Sequence, residues 1–167
     1  MVCGYVLRRR TNRLGNVCLI RYLHFVFHYG IMIRQRIYLD NYDILVHAYY
    51  ATTQYYVAEI LDRLYEIGCR GYNLRRAEEN LASGKLNTGL TFYSPRHREA
   101  VMVVALTSSA SECFNSLMHE LSHLTAYIAK DNNLSFTGEA IAYLEGNLAR
   151  EIFPSVQPLL CDCCRHK

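Results

Sequence analysis

Two histidines and a glutamate in the stretch "MHELSHL" have the types and spacing needed for metal-dependent hydrolysis. His119 and His123 are four positions apart, and Glu120 follows the first histidine. On an α-helix this spacing puts both imidazoles on one face, so that both can bind one zinc ion at about 2.0–2.1 Å. A glutamate beside the first ligand can take a proton from metal-bound water. The stretch therefore predicts a Zn²⁺ site with Glu120 as the general base.

A catalytic zinc also needs a third protein ligand and one open position. Glu139, in the stretch "TGEAIAYLEGNLAREIFP", is the predicted third ligand, and Glu145 is the alternative. A glutamate in the first turn of a helix also interacts favourably with the helix dipole, which is the other explanation for Glu139. Tyr143, one turn further on, is predicted to hydrogen-bond a ligand or a substrate oxygen; its other explanation is packing.

The segment that carries the two histidines has the pattern of an amphipathic helix from about Ala110 to Lys130. Ser109 and Glu112 form a predicted capping box at its start. Its apolar residues form one stripe, about 150–160° from the histidine face. The members of that stripe are Phe114, Leu117, Leu121, Leu124 and Ile128. The histidines then face either a cleft or, in the alternative interpretation, solvent.

The rest of the chain alternates between short strand patterns and helical patterns. The order β-α-α-β-β-α-α indicates an α+β fold, in which helices pack on a small, mainly antiparallel sheet. The two strands "TGLTFYS" and "EAVMVVALT" form a predicted hairpin, and the second of them is predicted to be central. The predicted strand is 43–50, and the predicted helices are 56–68, 73–84 with Asn73 as its cap, 110–130, and 138–152 ended by Pro154.

Charge and composition divide the chain into three predicted parts. With 167 residues, 51% of them hydrophobic, it is long enough for one domain with a buried core. Seven arginines precede the first acid, Asp40, and the remaining 11 basic residues face 15 acids. We therefore expect a basic, poorly ordered extension over 1–31, a single zinc-peptidase-like domain over 32–155, and a Cys-rich tail over 156–167.

The seven cysteines are irregularly spaced, and no export signal or apolar membrane span is recognisable. Reduced thiols and a cytoplasmic location are therefore expected. The tail residues Cys161, Cys163, Cys164 and His166 could bind a soft metal, but a frayed, reactive terminus is the favoured explanation, because structural zinc sites usually have two separated ligand pairs.

The pattern H-E-x-x-H on a helix, followed by a glutamate on the next helix, resembles the gluzincin class of zinc metallopeptidases. The stretch "MHELSHLTAYIAKDNNLSFTGEAIAYLEGNLAREIF" also resembles small uncharacterised proteins encoded by bacteriophages and prophages. The resemblance implies His119, His123 and Glu139 as zinc ligands and Glu120 as the general base. Gluzincins carry an acid four residues after the glutamate ligand, whereas this chain has Tyr143 there.

The first functional hypothesis is a zinc-dependent metallopeptidase, in which Glu120 assists the attack of zinc-bound water on a peptide bond. A peptide or protein substrate would add as a strand to "VMVVALT" or "TGLTFYS", and Tyr127, Tyr143 or Arg150 would be the second oxyanion donor.

Two other hypotheses remain open. One is a non-catalytic, zinc-stabilised phage accessory or interaction protein. The other is a nucleic-acid-binding protein that uses the arginine-rich start, although the mildly acidic main body argues against a general nucleic-acid surface. For a phage-encoded protein, the expected location is the host-cell cytoplasm.

Overall fold

A computed structural model describes residues 32–161 as a four-stranded sheet with helices on both faces. The predicted extension 1–31 and the tail residues Cys163, Cys164 and His166 lie outside the described residues. The strands are β1 (Ile33–Leu39), β2 (Ile44–Thr52), β3 (Gly89–Ser94) and β4 (Glu99–Ala105). The helices are α1 (Val57–Glu66), α2 (Gly71–Ala82), α3 (Ala110–Asp131) and α4 (Glu139–Val156).

The strand order is β1-β2-β4-β3, with antiparallel pairs at both edges and a parallel pair between β2 and β4. The predicted α+β class, the hairpin and the central position of its second strand are confirmed. β1 is an additional strand that the prediction missed. Its side chains alternate between exposed Arg34 and Arg36 and more buried Ile33 and Ile37, which is the period-2 pattern of an edge strand.

The helices form one layer on each face of the sheet. α1 and α2 cover the face that carries Tyr49, Val101 and Val103. On the other face, α3 packs on β3 and β4, whereas α4 packs on α3 and on β1. β3 and β1 are the two opposite edges of the sheet. Therefore α3 lies near the β3 edge, and α4 lies between α3 and the β1 edge.

Helix α3 begins as the sequence predicts, since Ser109 Oγ accepts a hydrogen bond of 3.1 Å from the backbone N–H of Glu112. Leu117, Leu121, Leu124 and Ile128 are buried, as expected for the stripe. Phe114 is 55% exposed, so its inclusion was wrong. In that first turn the buried side chain is Cys113, which lies four residues before Leu117 and therefore on the same helix face.

Two helix boundaries also differ from the prediction. Asn73 lies inside α2, which begins at Gly71 after Arg70 as its N-cap. Pro154 does not end α4, which continues to Val156. Proline removes a single backbone N–H donor, and the burial of Ile152 and Val156 on the core side supports the last turn.

Residues beyond α4 also contribute to the folded domain. Leu159 and Leu160, which follow α4, pack against the core on the α3–α4 face. Within residues 32–161, no helix combines the length and the apolar character that crossing a membrane requires.

Candidate metal centre

His119 and His123 lie side by side on the exposed face of α3. Their Nε2 atoms are 3.1 Å apart, and the ring centroids are 4.7 Å apart with the rings nearly perpendicular. Two nitrogens bound to one tetrahedral zinc, each at about 2.0–2.1 Å, would be about 3.3 Å apart. The two Nε2 atoms, which are within hydrogen-bonding distance of each other, are therefore close to the separation of two ligands on a single ion.

Glu120 points from α3 toward the edge strand and is only 4% exposed. Thr91 Oγ1 of β3 lies 2.7 Å from Glu120 Oε2, to which it donates a hydrogen bond, and 3.2 Å from the Glu120 backbone oxygen. Burial raises the pKa of the Glu120 carboxyl, while the Thr91 hydroxyl and the two histidines act in the opposite direction. Thr91 was not among the predicted site residues, because no local pattern identifies a threonine in a strand as the partner of a glutamate 29 positions away.

Gly89, at the start of β3, lies directly against the Glu120 side chain. A Cβ at this position would be 2.5 Å from both Cγ and Oε1 of Glu120, much closer than atoms in contact allow. The Gly89 carbonyl in turn accepts a 2.8 Å hydrogen bond from Asn80 Nδ2 of α2. Gly89 thus contacts both Glu120 of α3 and Asn80 of α2, and it leaves room for the glutamate because it has no side chain.

The three motif residues line one open cleft of about 680 Å³. Its walls are α3, with His119, His123 and Tyr127, and α2; its floor is the outer edge of β3. The α2 wall and the floor contribute both polar and apolar groups to the cleft, among them Asn73, Arg76, Glu79, Asn80, Leu90 and Phe92. A ligand in the cleft can therefore contact both polar and apolar side chains.

Tyr127, and not Tyr143, is the tyrosine at this site. The Tyr127 ring stacks on His123 with centroids 6.4 Å apart and an angle of 21° between the planes. Tyr143 is 69% exposed on α4 and does not line the cleft. The prediction placed Tyr143 near the metal on the assumption that its helix faces the histidines, whereas α4 lies on the other side of α3. Arg150 is also exposed on α4 and does not line the cleft.

Glu139, the predicted third ligand, does not join the histidine pair in this structure. It is exposed in the first turn of α4 and does not line the cleft. The histidines face the β3 edge, and α4 packs toward β1 at the opposite edge. The alternative Glu145 is on the same helix and is also absent from the cleft. The order of the strands, which the short α3–α4 connector does not reveal, thus separates these glutamates from the site.

We therefore expect Glu139→Gln to leave the zinc content of the purified protein unchanged. The substitution removes a carboxylate charge from an exposed position that the cleft does not include. Zinc is measured by elemental analysis after dialysis, with wild-type protein prepared in parallel. A loss comparable to that caused by removing a histidine would contradict this arrangement and restore Glu139 as a ligand.

The donors that the structure brings together fit two of the positions around a zinc ion. Among residues 32–161, no group of three or more His, Cys, Asp or Glu side chains is arranged to hold a metal. The paired Nε2 atoms are the observation that fits a zinc ion, which His119 and His123 would hold. Comparison of the chain with models of protein families, with curated proteins and with solved structures finds no significant match.

Proposed function

We propose that this protein is a zinc-dependent metallopeptidase that cleaves peptide or protein substrates bound along β3. The observation that carries the proposal is the pair of Nε2 atoms 3.1 Å apart, next to a buried Glu120 carboxyl that is hydrogen-bonded to Thr91 of β3. His119 and His123 would hold the ion as two of the three protein ligands that a catalytic zinc needs, and residues 32–161 place no third beside them. When bound there, zinc acts as a Lewis acid that lowers the pKa of water and polarises a carbonyl.

Glu120 supplies the proton transfer in this proposal. Its carboxylate accepts a proton from the attacking water and returns it to the amine nitrogen as the peptide C–N bond breaks. Its low exposure supports this role, since a buried carboxyl holds a proton more readily than one in water. Of the three oxyanion donors considered from the sequence, Tyr127 lines the cleft, whereas Tyr143 and Arg150 lie elsewhere, so the Tyr127 hydroxyl takes this role in the proposal.

The substrate would bind as an added strand on β3. Of the two strands considered, β4 is paired on both sides, whereas no strand among residues 32–161 pairs with the outer edge of β3. Asn80 bonds the Gly89 carbonyl from outside the sheet, which shows that this carbonyl points away from β4. Because outward groups alternate along an antiparallel edge strand, the backbone of Thr91 also faces the cleft and can bond an extended peptide.

The non-catalytic alternative requires a closed zinc site with four protein ligands. The described residues place two histidines in an open cleft and leave Cys113 buried on the opposite side of α3, which favours a site open to water. Nucleic-acid binding through the arginine-rich start depends on residues 1–31, which lie outside the described residues. A cytoplasmic location remains part of the proposal.

The experiment that tests the proposal is measurement of zinc in protein purified without added metal or chelator. We expect about one zinc ion per chain in the wild type and almost none in His123→Ala. The matched control is His97→Ala, which removes an exposed histidine in the β3–β4 turn, outside the cleft. If the folded wild type takes up no zinc even after incubation with the metal, the peptidase proposal is wrong.

A further inference from the structure

We infer that Gly89 and Thr91 of β3 are positioning residues for Glu120, so that the strand proposed to bind substrate also fixes the general base. This inference rests on the proposed function and concerns what holds the carboxyl in place. The motif explains why a glutamate is present at position 120. It does not explain why that side chain takes one orientation on a helix face that borders an open cleft.

Thr91 provides the attractive contact. Its hydroxyl lies 2.7 Å from Oε2 of Glu120, and its side chain faces α3 because it alternates with Leu90 and Phe92, which face the α1–α2 layer. The hydrogen bond engages Oε2, whereas Oε1 lies against Gly89. A valine at this position would keep the shape of threonine and remove the donor.

Gly89 provides the space. The distance of 2.5 Å from a Cβ at residue 89 to Oε1 and to Cγ means that the carboxyl rests on the bare backbone of the strand. Any side chain at position 89 would displace the Glu120 carboxyl, because the hydrogen bond from Asn80 holds the Gly89 backbone on the other side. Gly89 does not have the positive φ that would explain a glycine on conformational grounds, so the close approach is the reason for it.

The first test compares Thr91→Val with Thr91→Ser in peptide hydrolysis by the zinc-loaded protein. We expect kcat of Thr91→Val to fall by roughly 10–100-fold with KM within about twofold of wild type, and Thr91→Ser to recover most of kcat. The matched control is Thr88→Val, since the Thr88 hydroxyl bonds Lys85 and does not contact Glu120. Zinc content should be equal in all four proteins. An unchanged kcat in Thr91→Val, or a change in KM alone, would overturn the role of Thr91.

The second test needs neither zinc nor activity. Gly89→Ala should lower the melting temperature of the metal-free protein by about 3 °C or more, because the new methyl group collides with Glu120. In a Glu120→Ala background, Cγ and the carboxyl are absent, so the same Gly89→Ala change should lower the melting temperature by much less. Equal decreases in the two backgrounds would show that the collision is not with Glu120 and would overturn the role of Gly89.

The two tests separate failure of the inference from failure of the proposed function. A wild type that cleaves peptides, together with a Thr91→Val variant of normal kcat, contradicts the inference alone. A wild type that binds no zinc and cleaves nothing overturns the proposed function and the positioning role with it. If Gly89→Ala then lowered the melting temperature of the metal-free protein only when Glu120 is present, the Gly89–Glu120 contact would stabilise the fold without a role in catalysis.

Discussion

Glu120→Gln is expected to retain zinc and to lose peptide hydrolysis by roughly 10²–10⁴-fold. Glutamine has the size of glutamate and can still accept the Thr91 hydrogen bond through its side-chain oxygen. It cannot accept a proton from water, so the step that Glu120 performs is removed while the packing remains. The measurement is kcat/KM on a peptide substrate found by screening the wild type, together with zinc content and the melting temperature of each protein.

The control for this variant is Glu139→Gln, the same chemical change on the adjacent helix. Its side chain is outside the cleft, so we expect wild-type hydrolysis and wild-type zinc content. Full activity in Glu120→Gln would refute the mechanism, even if zinc were bound. Loss of zinc in Glu120→Gln would assign Glu120 a ligand role instead of a proton-transfer role.

Leu124→Ala should lower the free energy of unfolding by about 2–5 kcal/mol. Leu124 is completely buried between α3 and the sheet, and truncation leaves a cavity directly beneath the turn that carries His123. Because domains of this size are stable by only about 5–15 kcal/mol, this single change removes a large part of the total. The measurement is urea-induced unfolding of the metal-free protein, followed by circular dichroism.

Phe114→Ala is the matched comparison, since the helical pattern assigned Phe114 to the same stripe as Leu124. Its side chain is 55% exposed, and we expect a loss below about 1 kcal/mol despite the larger number of atoms removed. A loss at Phe114 equal to that at Leu124 would mean that the first turn of α3 packs more deeply than the structure shows.

The sequence by itself determined the features that depend on neighbours along the chain. The buried stripe of α3, the Ser109 cap and the β3–β4 hairpin were all predicted, since each depends on the period of a helix or strand or on contacts within a few residues. The pairing of His119 with His123 belongs to the same group. Four residues make one helical turn, so the 3.1 Å separation needs only a helix and suitable side-chain rotamers.

Only the tertiary structure decided what surrounds that histidine pair. Whether Glu139 or the β3 edge lies beside it depends on the strand order β1-β2-β4-β3 and on which side of α3 the last helix packs. Both arrangements bury the apolar residues Leu144, Leu148 and Ile152 of α4, so their helical periodicity cannot distinguish them. The contacts of Glu120 with Thr91 and Gly89 join positions about 30 residues apart. Such contacts arise from packing between elements, and no local pattern in the chain encodes them.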